Sequence, residues 1–354
     1  MRRILATLCI LAFACQAAMP ADYPVVEPGI RLSFPADHGA HPEFRTEWWY
    51  VTGALKTEDG RDLGFQVTFF RTRPPANPDN PSRFNPAQVL FAHAALSDPA
   101  LGRLLHAERA ARAGFGIAGA ATADADVRLQ DWAFQRGGDG VYRTKVQGPD
   151  FGFQLDFAPT QEVMPQGENG YSRKGPKPEE ASYYYSIPHL RVSGTVQREG
   201  RQVAVTGEAW LDREWSSSYL APDASGWDWT GLNLDDGSAL MAFRIRGKDG
   251  GTVWAGSSFR YPDGRIRRFE PGDVALEPVR HWRSARTNAE YPVEQVLRVK
   301  LPEGERRFAL KPLFDDQELD GRAGGMPVYW EGLVATEGGR GYLELTGYAA
   351  DLRM

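Results

Sequence analysis

Along most of its 354 residues this chain repeats one pattern, a short run of alternating apolar and polar side chains cut off by Gly, Asp or Pro. That pattern limits the possible folds more than any other feature, because a period of two is the signature of half-buried antiparallel strands. Leu63 to Phe70 puts Phe65, Val67 and Phe69 on one face; Val203 to Leu211 does the same with Val203, Val205, Ala209 and Leu211. Asp59-Gly60, Asp139-Gly140, Asp236-Gly237 and Asp263-Gly264 fall between runs and read as hairpin turns, since glycine reaches positive φ at little cost. Helical periodicity is scarce: Leu101 to Ala113 has helical composition but suits equally a strand pairing with Val89 to Ser97. Without βαβ alternation, the chain is expected to be all-β, built as sandwiches or barrels.

Two passages echo each other. Trp48-Trp49-Tyr50-Val51-Thr52-Gly53-Ala54-Leu55 leads through Asp59-Gly60 into a run ending near Arg71, and Trp227-Asp228-Trp229-Thr230-Gly231-Leu232-Asn233-Leu234 leads through Asp236-Gly237 into one ending near Arg246. Each reads as the tryptophan-led opening hairpin of a β domain. The expected division is a leader at 1–21, an N-terminal domain at 22–220 and a C-terminal domain at 221–354. The leader reads as an export signal: Arg2 and Arg3, then an apolar run from Ile4 to Ala14 too short to span a bilayer. Cleavage near Ala21 frees a periplasmic protein. Cleavage after Ala14 leaves Cys15 for lipid attachment to the envelope, the one expected route to peripheral membrane association.

Cys9 and Cys15 both lie in that leader, so the mature domains have no disulfide, thiolate nucleophile or cysteine metal site. Removing Arg2 and Arg3 takes the net charge from −5 to −7, and basic clusters such as Arg265, Arg267 and Arg268 sit at single strand ends, so no nucleic-acid partner is expected. No cofactor or metal is implied: His38 and His41 lack an identified third ligand, and Gly114-Phe115-Gly116-Ile117-Ala118-Gly119 matches the dinucleotide pattern by letter without a βαβ setting. The chain also lacks the nucleophile elbow, Walker loop and zincin helix.

The densest chemistry lies between Tyr183 and Trp229. Glu208, Trp210, Asp212 and Glu214 share one strand face, with Asp212 and Glu214 about 6.7 Å apart along the chain. If that face is dry, the two carboxyls push each other's pKa values apart, and one can serve as acid while the other serves as base. Period-two charge is also what a solvated face looks like, so both readings stand at this point. Tyr184, Trp210, Trp215, Trp227 and Trp229 crowd the proposed boundary, and pockets favour domain junctions and aromatic walls. Trp48, with Glu47 as a polar handle, is a candidate wall residue; Trp49 reads rather as a barrel plug packed with a buried Arg such as Arg45. His93 and His189 are candidate ligand contacts, each more ordinarily a satisfied core histidine. The loop Gly167 to Gly175, carrying Arg173 and Lys174, is a candidate lid or anion contact.

Four segments carry a resemblance: Phe44-Arg45-Thr46-Glu47-Trp48-Trp49-Tyr50, Gly167-Glu168-Asn169-Gly170-Tyr171-Ser172-Arg173-Lys174-Gly175, Ala181-Ser182-Tyr183-Tyr184-Tyr185-Ser186 and Trp210-Leu211-Asp212-Arg213-Glu214-Trp215-Ser216-Ser217. In this order they resemble the AttH and carotenoid 1,2-hydratase family, from about Phe34 to Tyr348. The resemblance implies two lipocalin-like antiparallel β-barrel domains. It also implies one of two roles: an exported AttH-like protein that binds an isoprenoid or lipid and works beside an ABC transporter, or a hydro-lyase that adds water to an isolated alkene. In the second role Asp212 is the expected general acid and Glu214 its polarising partner or base. Family members commonly carry His where this chain has Arg213, a departure that bears on the hydratase role. The plainest alternative is a structural envelope protein whose aromatics are all core.

Overall fold

A computed structural model describes residues 23–75, 82, 85–324 and 326–352; the expected leader, with Cys9 and Cys15, lies outside them. The first sheet contains β1 (Thr46–Thr57), β2 (Asp62–Thr72), β3 (Val89–Asp98), β4 (Arg103–Arg112), β5 (Ala118–Ala120), β6 (Asp126–Leu129), β7 (Trp132–Arg136), β8 (Tyr142–Gln147), β9 (Phe151–Ala158), β10 (Met164–Pro165), β11 (Tyr171–Arg173), β12 (Ala181–Arg198) and β13 (Arg201–Ser218). The second contains β14 (Ala224–Leu234), β15 (Ala239–Gly247), β16 (Thr252–Arg260), β17 (Ile266–Phe269), β18 (Val274–Arg283), β19 (Glu290–Leu301), β20 (Gly304–Pro312), β21 (Glu318–Asp320), β22 (Val328–Thr336) and β23 (Gly339–Leu345). The spatial orders are β4-β3-β2-β1-β13-β12-β9-β8-β7-β6-β5 and β17-β16-β15-β14-β23-β22-β20-β19-β18, with every pairing antiparallel. The sheets curl into two lipocalin-like barrels, and the chain passes from one to the other between Ser218 and Ala224.

The two echoing passages are the hairpins β1–β2 and β14–β15, which open the two sheets, with Gly60 and Gly237 at φ +85° in their turns. Leu101 to Ala113 resolves as strand: β4 pairs with β3 from Val89↔Arg112 to Asp98↔Arg103, so cross-strand pairing overrides its helical composition.

Side-chain parity explains the packing. On β1 the odd residues Trp49, Val51 and Leu55 fill the first barrel, together with Phe65, Val67 and Phe69 of β2. The even residues Tyr50 and Ala54 point out of that barrel, against Trp229, Met241, Phe243 and Leu333 of the second. On β14 the even residues Leu232 and Leu234 fill the second barrel, while Trp229 points out and the half-buried Trp227 packs beside it. Both barrel interiors are thus packed with their own side chains, and the strands at the junction are buried on both faces. Close approach there requires small residues: a Cβ on Gly231 would lie 3.0 Å from the Trp210 ring, and one on Gly64 would lie 2.6 Å from the Tyr342 hydroxyl.

One end of each barrel is tied by a buried acid and two arginines. Glu47 pairs with Arg71 and Arg213, and Asp228 pairs with Arg246 and Arg244. Burial alone would raise the Glu47 carboxyl, but Arg213, His41 and Arg71 hold it down at about 2. Two expectations are corrected here. Glu47, on the odd face of β1, belongs to this tie and is no polar handle for a ligand. The arginine packed on Trp49 is Arg213, 4.0 Å from its ring, whereas Arg45 is exposed.

Candidate functional site

A cavity of about 350 Å³ lies between the outer faces of the two barrels. Trp48, Tyr50, His93, Tyr184, Asp212 and Glu214 line it from the first barrel, and Trp227, Trp229, Phe243, Tyr329, Glu331 and Glu344 from the second. Its rim includes Arg45, Leu220, Pro327 and Leu352, all exposed or half-buried. The volume lies at the small end of the range of about 300–1,000 Å³ that suits a small-molecule pocket.

The Asp212–Glu214 end of the β13 row faces this cavity rather than solvent, because the second barrel covers it, whereas Glu208, 39% exposed, lies outside the cavity and pairs with His189. Trp210, Asp212 and Glu214 are 2%, 3% and 5% exposed. Asp212 is held from three sides: the Tyr184 hydroxyl donates to its Oδ2 at 2.6 Å, and the Ser186 hydroxyl and Trp210 indole donate to its Oδ1 at 2.5 and 2.6 Å. Burial pushes its carboxyl up to about 7, although those three donors favour the anion; the charge of Glu214 adds to the rise. The Trp229 indole donates to the Tyr184 hydroxyl at 3.0 Å. A chain of donors thus runs from the second barrel through Tyr184 to Asp212.

Glu214 is engaged differently. Lys174 Nζ lies 2.9 Å from its carboxylate, and the Ser182 hydroxyl donates to the same oxygen. Lys174 also sits 4.2 Å above the Phe243 ring and 4.6 Å above that of Tyr184. The Gly167–Gly175 loop therefore supplies a buried counter-ion to the cavity wall. It pairs with Glu214, which was expected as polarising partner or base.

The remaining candidates divide between the wall and its surroundings. Trp48, stacked on Tyr219 at 4.5 Å, lines the cavity together with Tyr184, Trp227 and Trp229. His93 lines it as well: its Nδ1 lies 2.9 Å from the Tyr329 hydroxyl, which also accepts from Gln66, and the ring's tautomer sets which of Nδ1 and the hydroxyl donates. Nε2 is buried and has no hydrogen-bond partner among the described residues. Burial, with a small contribution from His106, lowers this histidine to about 3, so the ring is neutral.

Three expected contacts lie off the wall. Trp210 sits behind it, donating to Asp212. Trp215 is on the odd face of β13, inside the first barrel, and stacks on His41 at 3.8 Å. His189, at φ +52° within the irregularity of β12 between Ile187 and Leu190, bonds to Glu208 at 2.5 Å and to the Ser238 carbonyl at 2.9 Å. Burial opposes its charge, but those partners raise its pKa on balance. Arg213 also faces the first barrel, so the family's usual histidine at this position would point away from the cavity. Among the described residues no cluster of three or more His, Cys, Asp or Glu could hold a metal ion.

Sequence reasoning missed Glu331 and Glu344. Burial pushes Glu344 up to about 8; a hydrogen bond from Trp227 opposes this, and the charges of Asp212 and Glu214 add to it. Burial and the Glu344 charge raise Glu331 well above the usual carboxylate range, against a hydrogen bond from Gln66. Neither sits in a recognisable motif; only the register of β22 and β23 brings them to the cavity.

Residues 25–348 match the model of the AttH-like family. The chain belongs to that family. A solved structure of a Nitrosomonas europaea protein provisionally named AttH is 54% identical, with a TM-score of 0.85 over 92% of this chain and 99% of that one. Kievitone hydratase from Nectria haematococca, at 14% identity, gives a TM-score of 0.67 over 94% and 98% of the two chains. CghA in complex with Sch210972, at 13% identity, gives 0.53 over 95% and 96%. These last two share the fold with this AttH-like chain, and at such identity that is all the likeness shows. No curated protein matches it.

Proposed function

We propose that the protein is a hydratase-type lyase, adding water to an isolated alkene of an apolar, isoprenoid-like molecule held between its barrels. The observation that carries this reading is Asp212: a carboxyl buried in an aromatic-walled cavity and pushed to about 7 is a group that can hold a proton at neutral pH and release it. In the forward direction the Asp212 O–H bond breaks and a C–H bond forms at the less substituted alkene carbon. The tertiary cation left behind is stabilised by the faces of Trp48, Trp227 and Trp229. Water then forms the C–O bond and gives its proton to a carboxylate, so that alkene plus water becomes alcohol. The hydratase name of one structural neighbour gives a reaction class that fits this acid. The apolar walls also suit a carrier working with an ABC transporter, but a carrier has no use for the raised Asp212.

The test is incubation with squalene, dispersed in detergent, in ¹⁸O-labelled water, followed by mass spectrometry for one added labelled water. Asp212→Asn is expected to lower turnover by about 10²–10⁴-fold, as loss of a general acid does. Its affinity for squalene, read by tryptophan quenching, is expected to stay within a few fold. Hydration by this variant at the wild-type rate would sink the assignment.

A further inference from the structure

We propose that Glu344 is the second proton-transfer group of the cavity, paired with Asp212 and taking the proton from the attacking water. The assignment rests on the hydration reading and names its base.

Each barrel brings one acid to the cavity beside an outward aromatic. In the first barrel the outward aromatic Tyr50 of β1 stands opposite Asp212 on β13; in the second the outward aromatic Trp229 of β14 stands opposite Glu344 on β23. Tyr50 and Trp229 meet edge to face at 5.3 Å. Each acid thus stands beside an outward aromatic of its sheet's opening hairpin, and the two reach one cavity because the barrels pack outer face to outer face.

The other acids of the cavity differ from Glu344 in their partners. Glu214 is taken by Lys174 and Ser182; Glu331 accepts from Gln66 through one oxygen and keeps Oε1 unpartnered among the described residues, but it is Glu344 that feels the charge of Asp212. Around Glu344 stand Asp212 and Glu214 on β13, Glu331 and Tyr329 on β22, Tyr50 on β1 and the Trp227 indole on β14; the cation of the same wall, Lys174, is paired with Glu214. A carboxyl in such company avoids a second nearby negative charge, whether on Glu331, its cross-strand partner, or on Asp212, so protonation of Glu344 is linked to that of both acids. On the same wall, the buried Nε2 of His93, unpartnered among the described residues, offers a hydrogen-bonding atom to a water or product alcohol.

In the proposed cycle, protonation of the alkene empties Asp212. The water's O–H bond breaks as its C–O bond forms, and that proton fills Glu344. Return of one proton from Glu344 to Asp212 resets the pair. Turnover needs the proton on Asp212 and Glu344 ionised; because Glu344 holds a proton more tightly than Asp212, this is the minor of the two one-proton forms, and its population gives a bell-shaped pH dependence.

Two measurements test this independently. Infrared pH titration of the whole protein reads protonated carboxyls without any substrate, and Glu344→Gln identifies the Glu344 band. Asp212→Asn is expected to move that band's midpoint to lower pH, by removing the like charge; an unmoved midpoint overturns the pairing. Squalene hydration by Glu344→Gln is expected to fall about 10²-fold or more and to lose the acidic limb of its pH profile, while Glu344→Asp keeps part of the rate and both limbs. A Glu344→Gln variant that keeps the acidic limb overturns the base assignment, whatever its rate. Failure of the wild-type protein to hydrate squalene would count against the hydration reading, and the infrared shift would still decide the pairing.

Discussion

Replacing Asp212 by Asn should stabilise the protein at alkaline pH even as it removes the proposed acid. Folding takes this carboxyl from its ordinary 3.8 to about 7, so the folded state prefers the protonated form. Stability from that preference is full below pH 3.8 and is lost as pH rises through about 7. A rise of about three units at 1.36 kcal/mol each corresponds to roughly 4 kcal/mol between the two ends of that window. Asparagine carries no charge and escapes this loss. Its amide does present two donors to the Tyr184 hydroxyl, which already accepts from Trp229, and that mismatch costs about 1 kcal/mol. Urea unfolding of both proteins across this range should therefore show the variant slightly weaker near pH 4, and stronger by about 2–3 kcal/mol above pH 7. A pH-independent difference would refute the reasoning, since it would mean that the Asp212 carboxyl is as well solvated folded as unfolded.

Further outcomes follow from the same geometry. Arg213→Ala leaves Glu47 fully buried with one of its two arginines gone, so a loss of about 3–5 kcal/mol is expected in thermal or urea unfolding. Lys174→Met strips the buried cation from Glu214, and calorimetry should show destabilisation of similar size. Gly231→Ala forces a methyl against Trp210 and Trp229 and should cost about 1–3 kcal/mol, read as a lowered urea midpoint. Trp229→Phe keeps the apolar wall but removes the donor to Tyr184; squalene affinity should hold while turnover falls.

Much of the fold was legible because its cause is local. Alternation over Leu63 to Phe70 and the Asp-Gly turns specify strands and hairpins without help from distant residues, and the repeated Trp-led hairpin reports two similar sheets. The β13 row was legible as a shared face, but not as a dry one: Asp212 and Glu214 on a lone barrel would point to solvent, and only the second barrel encloses them. Parity separates Trp215 from its neighbours, since an odd position among even ones points into the barrel. The irregularity at Ile187 to Leu190 shifts the face of β12, so His189 could not be placed by counting from Tyr184. Glu331 and Glu344 were illegible for a different reason: an acid in an ordinary alternating run reads as exposed until the partner surface is known.

The most direct test of the central claim is a crystal structure of the protein soaked with squalene. The account predicts one end of the chain between the barrels, with an alkene carbon about 3–3.5 Å from the carboxyl of Asp212 or the hydroxyl of Tyr184, among the rings of Trp48, Trp227 and Trp229. Squalene lodged inside either barrel, with the space beside Asp212 filled only by water, would contradict it.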